Sequence, residues 1–109
     1  MIPLVPEKIT VETPRGPVAG LLHEPPGPRA FVVIGHGAGV DMEHPLMAGF
    51  SEGLEASGMA SLRFNFLYTE QGRKAPDKEP ALREVYRAAF DAALDFIDDG
   101  AGVFRPRIV

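Results

Sequence analysis

The sequence predicts an α/β fold built on an incomplete, mostly parallel sheet, and three observations carry that prediction. Phe31 to Gly35 is an unbroken β-branched and aromatic run closed by glycine, the pattern of a strand buried on both faces of a parallel sheet. Apolar residues at helical spacing follow, and then a second strand, so residues 30–66 read as a strand-helix-strand unit. A longer amphipathic helix comes next, ahead of a short apolar end at Ile108 and Val109 that has the look of another strand beginning.

Taken in order, Lys8 to Thr13 alternates polar and apolar residues as a half-buried strand does. Pro14-Arg15-Gly16-Pro17 turns the chain, and Val18 to His23 returns as the second arm of an antiparallel hairpin. Glu24-Pro25-Pro26-Gly27-Pro28 cannot continue a ladder and acts as a stiff connector. After the strand Phe31 to Gly35, a glycine loop leads to His44-Pro45, where proline suits the first position of a helix. Leu46, Met47, Phe50 and Leu54 then fall together as the predicted buried face, with Ser51, Glu52 and Glu55 off it, and Gly58 as the C-terminal cap.

Ala60 to Phe66 reads as a strand with Leu62, Phe64 and Phe66 on one side and Ser61, Arg63 and Asn65 on the other. Leu67 to Pro80 reads as a long polar loop, whose length points to function or mobility. From Glu79 or Pro80 to Ile97, the residues Leu82, Val85, Ala89, Phe90, Ala93, Leu94 and Ile97 make one helical stripe. Asp98 and Asp99 place unfavourable charge at its end, and Gly100 and Gly102 stop it.

With 109 residues there is material for one domain. Twelve glycines and eleven prolines foretell numerous sharp turns. A net charge of −4, with scattered acidic residues, gives no basic face for nucleic acid. The absence of cysteine removes thiolate nucleophiles, disulfides and cysteine-ligated metals. Met1 to Glu7 reads as neither a signal peptide nor a membrane span. The expectation is a soluble, cytoplasmic protein with no membrane partner, no metal and no cofactor.

The loop Gly35-His36-Gly37-Ala38-Gly39 leaves three readings open. It can be a plain tight strand-to-helix turn. It can be a phosphate cradle at a helix start, although Val40 holds the third glycine position of that motif and Asn65-Phe66 ends the second strand without an acidic residue. It can also present backbone N–H groups to a developing oxyanion. Asp41, Glu43 and His44 have no spacing that defines a metal site. Glu70 and Asp77 could be paired as acid and base only by guesswork, Arg73, Lys74 and Asp77 read as a solvated loop, and Arg63 reads as a structural arginine held by a carboxylate or carbonyl.

The motifs IGHGAG (Ile34 to Gly39), Met42 with His44-Pro45 and Met47, LRFNF (Leu62 to Phe66) and YTEQGRKAPD (Tyr68 to Asp77) together resemble the α/β-hydrolase superfamily. They resemble most its dienelactone-hydrolase-like branch, with small hydrolases similar to the third subunit of the non-specific lethal chromatin complex. Leu67 stands where that branch tends to carry proline. The resemblance covers the N-terminal half of the fold. It implies an oxyanion loop at His36, Gly37, Ala38 and Gly39, with the Ala38 N–H as donor, site-lining roles for Asn65 and Tyr68, and a small-molecule acyl substrate.

Ser51, Ser57 and Ser61 are the serines of the chain, and none stands in a G-x-S-x-G elbow. His23, His36 and His44 precede any position where a triad histidine would follow its serine. No catalytic nucleophile, acid or histidine is therefore assigned within this chain. The expectation is the N-terminal portion of a serine-type hydrolase, cut before its elbow, and inactive alone. The alternative is a non-catalytic scaffold or interaction module of the same fold. An open sheet edge is expected to promote self-association of the isolated chain.

Overall fold

The computed structural model describes residues 6–37, 39–98 and 107–108. The sequence-based assignments at Met1 to Val5, Ala38, Asp99, Gly100, Gly102 and Val109 lie outside them. The described elements are β1 (Glu7–Val11), β2 (Val18–His23), β3 (Ala30–Gly35), α1 (Pro45–Ala56), β4 (Ala60–Phe64), α2 (Leu67–Glu70), α3 (Glu79–Asp98) and β5 (Arg107–Ile108).

The strands form one sheet in the order β1-β2-β4-β3-β5. The hairpin β1–β2 is antiparallel, in a register that sets Val11 against Val18. β2 then pairs antiparallel with β4, placing His23 opposite Ser61 and Leu21 opposite Arg63. From β4 onward the sheet is parallel: β3 lies beside β4, and β5 lies beside the start of β3. β3 thus has a strand on each side, with the second pairing confined to Ala30 and Phe31.

Side-chain alternation divides the sheet into two unlike faces. One carries Leu22, Phe31, Val33, Ala60, Leu62 and Phe64, which pack with Val85, Ala89 and Ala93 of α3 in a single apolar core. The alanines keep side-chain bulk between helix and sheet low. The other carries His23, Ser61 and Arg63 beneath α1, all of them buried.

α1 begins and ends as its sequence foretells. His44 caps it, its Nδ1 accepting the Leu46 N–H at 3.2 Å, and Pro45 takes the first turn. At the far end Gly58 adopts φ +80°, with bonds from Gly58 N–H to the Glu55 carbonyl and from Met59 N–H to the Leu54 carbonyl, a Schellman closure. The orientation of the helix is a correction, however. Leu46 and Phe50 point outward at 78% and 54% exposure, whereas Ser51 is fully buried. The sheet face beneath α1 carries the buried His23, Ser61 and Arg63 beside Leu21, and the helix turns its i, i+4 pair Ser51 and Glu55 toward it, while Met47 and Leu54 of the expected face are half-buried.

Leu67 and Tyr68 are buried in the short helix α2, so the polar loop starts after Glu70. In α3 the buried line runs through Ala81, Val85, Ala89 and Ala93, while Phe90 and Leu94, expected in that line, are partly exposed beside Tyr86. Each follows a buried alanine, Ala89 or Ala93, by one residue, about 100° further around the helix. The Tyr86 hydroxyl still donates to the Val33 carbonyl at 3.0 Å.

Candidate functional site

The site is built where β3 and β4 deliver their C-terminal ends. Gly35 closes β3 because the Phe66 ring lies against it: a Cβ there would come within 3.2 Å of the Phe66 Cζ. Gly39 supplies the left-handed turn at φ +81°. Gly37 meets neither need, since open space surrounds its Cα and its φ is not positive. Ala38, the expected donor, lies outside the described residues.

His36 is buried, with its ring edge-on to Phe66 at 5.1 Å and to Tyr68 at 5.7 Å. The Phe66 N–H points at its Nε2 over 3.2 Å, so Nε2 is an acceptor and carries no proton in this arrangement. The proton therefore sits on Nδ1, 2.9 Å from the Gly37 carbonyl. The Thr69 hydroxyl also lies 3.1 Å from Nε2. With both ring nitrogens engaged, His36 ties the glycine loop to the turn after β4 and has no free nitrogen for proton transfer.

A second pair of ties holds the loop at Met42. Its N–H donates to Asn65 Oδ1 at 3.0 Å, and its carbonyl accepts from Arg63 Nη1 at 2.7 Å. Asn65 is steadied in turn by Glu70, whose other oxygen accepts the Ala19 N–H. Arg63 is thus a structural arginine on a carbonyl. Burial lowers its pKa from the ordinary guanidinium value, and the charges of Glu43 and Glu52 oppose that shift. Asp77 accepts both the Tyr68 N–H and Arg73, which engages the carboxylates of Glu70 and Asp77 in holding backbone and side chains in place.

Beside the loop lies an open depression of about 770 Å³, lined by Gly39, Val40, His44, Tyr68, Thr69 and Lys74 among others. Tyr68 therefore borders the glycine loop directly. Asn65 lines a different hollow, with Met42 and Glu70, and acts on the loop through its bond to Met42. A larger groove along the outer side of α3 shares no residue with the loop depression.

The phosphate-cradle reading loses its physical basis here. Five residues separate Gly39 from the first helical residue, Pro45, and the His44 side chain already occupies the Leu46 N–H. Among the described residues no group of three or more His, Asp or Glu is arranged to hold a metal ion. Ser51 on α1 and Ser61 on β4 are fully buried between that helix and the sheet, away from any elbow, and Ser57 sits at the end of the helix. The His36 and Thr69 contact spans thirty-three positions, so no local spacing in the sequence announces it.

Residues 28–102 match the alpha/beta hydrolase domain family, and the chain belongs to it. No curated protein matches. Among solved structures, it is similar to an α/β serine hydrolase without lid from Xanthomonas campestris, at 19% identity and a TM-score of 0.64, over 84% of this chain and 45% of that one. A dienelactone hydrolase from Anabaena variabilis shares 20% identity at a TM-score of 0.63, over 96% of this chain and 50% of that one. An α/β serine hydrolase homologue from Coxiella burnetii shares 17% identity at a TM-score of 0.68, over 99% and 51%. The chain thus spans about half the length of these neighbours. No described helix is long and apolar enough to cross a membrane.

Proposed function

We propose that this chain supplies the oxyanion loop of a serine-type hydrolase acting on an ester or related acyl substrate, and that the triad is supplied by polypeptide other than these 109 residues. The observation that carries the reading is the double anchoring of the glycine loop, through His36 to the turn after β4 and through Met42 to Arg63 and Asn65. Oxyanion stabilisation requires donors that are fixed before charge develops, and a loop held at both ends meets that requirement. The proposed donor is the Ala38 N–H, with Tyr68 and Thr69 lining the acyl side of the depression. The alternative is a non-catalytic scaffold on the same fold, and the favourable case for it is the absence of any serine in an elbow.

Sequencing the gene beyond the codon for Val109 and expressing the joined product separates the two. An in-frame G-x-S-x-G followed by Asp and His, with turnover of a p-nitrophenyl ester, supports the hydrolase. In that product Ala38→Pro, which lacks the N–H, should lower kcat by about 10²- to 10³-fold. A stop codon with no such continuation favours the scaffold. The 109-residue chain alone should not turn over the ester, and activity that survives loss of His36 and Ser61 would overturn the assignment of no internal nucleophile.

A further inference from the structure

Four buried side-chain polar atoms among the described residues have no hydrogen-bond partner within the protein: Ser51 Oγ, Glu55 Oε2, Ser61 Oγ and Arg63 Nε. All four belong to the interface between α1 and the sheet. Ser51 and Glu55 lie one turn apart on α1, and Ser61 and Arg63 lie two residues apart on one face of β4. His23 joins the two layers, because it sits opposite Ser61 in the sheet, approaches Arg63 Nη2 at 2.9 Å and approaches Glu55 Oε1 at 3.3 Å. Arg63 can only donate, so His23 Nε2 accepts and His23 Nδ1–H points to Glu55. The side chains of His23 and Glu55 are at least nine-tenths buried, and Ser51, Ser61 and Arg63 are equally enclosed.

We infer that this interface is a binding site for internal water, held among Ser51, Glu55, Ser61 and Arg63. Arg63 Nε–H must donate, Glu55 Oε2 must accept, and each serine hydroxyl can do either. An anion bound here would face the Glu55 carboxylate, and a cation would face the guanidinium. Water donates and accepts at once, and buried water typically makes about three hydrogen bonds to polar groups that otherwise lack partners. At roughly one buried water per 27 residues, one or two at this interface are within the norm for a chain of 109. The water completes the guanidinium whose other arms hold His23 and the Met42 carbonyl, so it steadies the glycine loop from beneath. The inference is independent of whether the loop serves catalysis.

Two measurements on the 109-residue chain test it. A crystal structure that resolves ordered solvent should show water within about 2.7–3.2 Å of Arg63 Nε and Glu55 Oε2 and of both serine hydroxyls. Direct bonding among the four side chains, a dry interface or an ion in that density would overturn the proposal. In a double-mutant cycle of Ser51→Ala and Ser61→Ala, unfolded at one fixed chain concentration, the two serines should couple by about threefold or more in the unfolding equilibrium constant although no hydrogen bond joins them. Strict additivity would overturn the proposal as well.

Discussion

The two long helices flank the same sheet, and the surface buried under α1 is much the more polar of the two. α3 sets Val85, Ala89 and Ala93 against Phe31, Leu62 and Phe64. α1 sets Ser51 and Glu55 over His23, Ser61 and Arg63, and leaves Leu46 and Phe50 in solvent. The apolar interface gains from area removed from water and is tolerant of direction. The polar one depends on particular donors meeting particular acceptors, because each buried group left unpaired costs about 1–3 kcal/mol. Both sides bear on the glycine loop: Arg63 on the α1 face holds the Met42 carbonyl, and Phe66 of the apolar cluster holds His36.

Breaking the polar side should have the largest effect. Arg63→Met removes the bonds to the Met42 carbonyl and to His23 Nε2 and leaves both acceptors buried without a partner, so at about 1–3 kcal/mol per group it should cost about 2–6 kcal/mol in a denaturant titration. The test of the apolar side is Ala89→Leu, which forces bulk between α3 and the sheet and should cost about 1–3 kcal/mol by the same method. His36→Phe keeps a ring in place but leaves the Phe66 N–H without an acceptor. It should destabilise by about 1–3 kcal/mol, and amide exchange should speed up at Phe66 before it does in the α3 core. The smallest effect is expected at Leu46→Ser, within about 0.5 kcal/mol, since the residue is exposed. A loss of about 2 kcal/mol or more, the range for emptying a core leucine site, would restore the helix face expected from the sequence.

A further difference separates the two edges of the sheet. β1 is a short hairpin arm, with charged Glu7 and Lys8 at its start. β3 is apolar, and beyond Phe31 its outer side has no strand beside it among the described residues. We propose that this edge, next to the partly exposed Tyr86, Phe90 and Leu94, drives self-association of the isolated chain. Sedimentation velocity should show species that grow with concentration, and Phe90→Glu should shift them toward the monomer. A monomer at all concentrations with a sharp unfolding transition would count against the proposal.

Much of the fold was legible because it rests on local rules. The run Phe31 to Gly35 is apolar throughout, as a central parallel strand requires, and His44-Pro45 and Gly58 delimit α1 by chemistry confined to its ends. The glycine loop was legible too, as a place where backbone is laid bare. Its supports were not. Arg63 reaches Met42 across twenty-one positions, and His36 reaches Phe66 across thirty.

The sequence by itself determined the order and kind of the elements, because periodicity and turn chemistry act over a few residues. It also marked α3 as apolar along a broad stripe. Only the tertiary structure decided which part of that stripe meets the sheet, leaving Phe90 and Leu94 at the margin. It alone decided that α1 turns Ser51 and Glu55 inward, because a polar residue becomes core only when folding brings a polar partner over it. His23 and Arg63 come from two strands that pair through the sheet, and no stretch of sequence contains both them and Glu55 as neighbours.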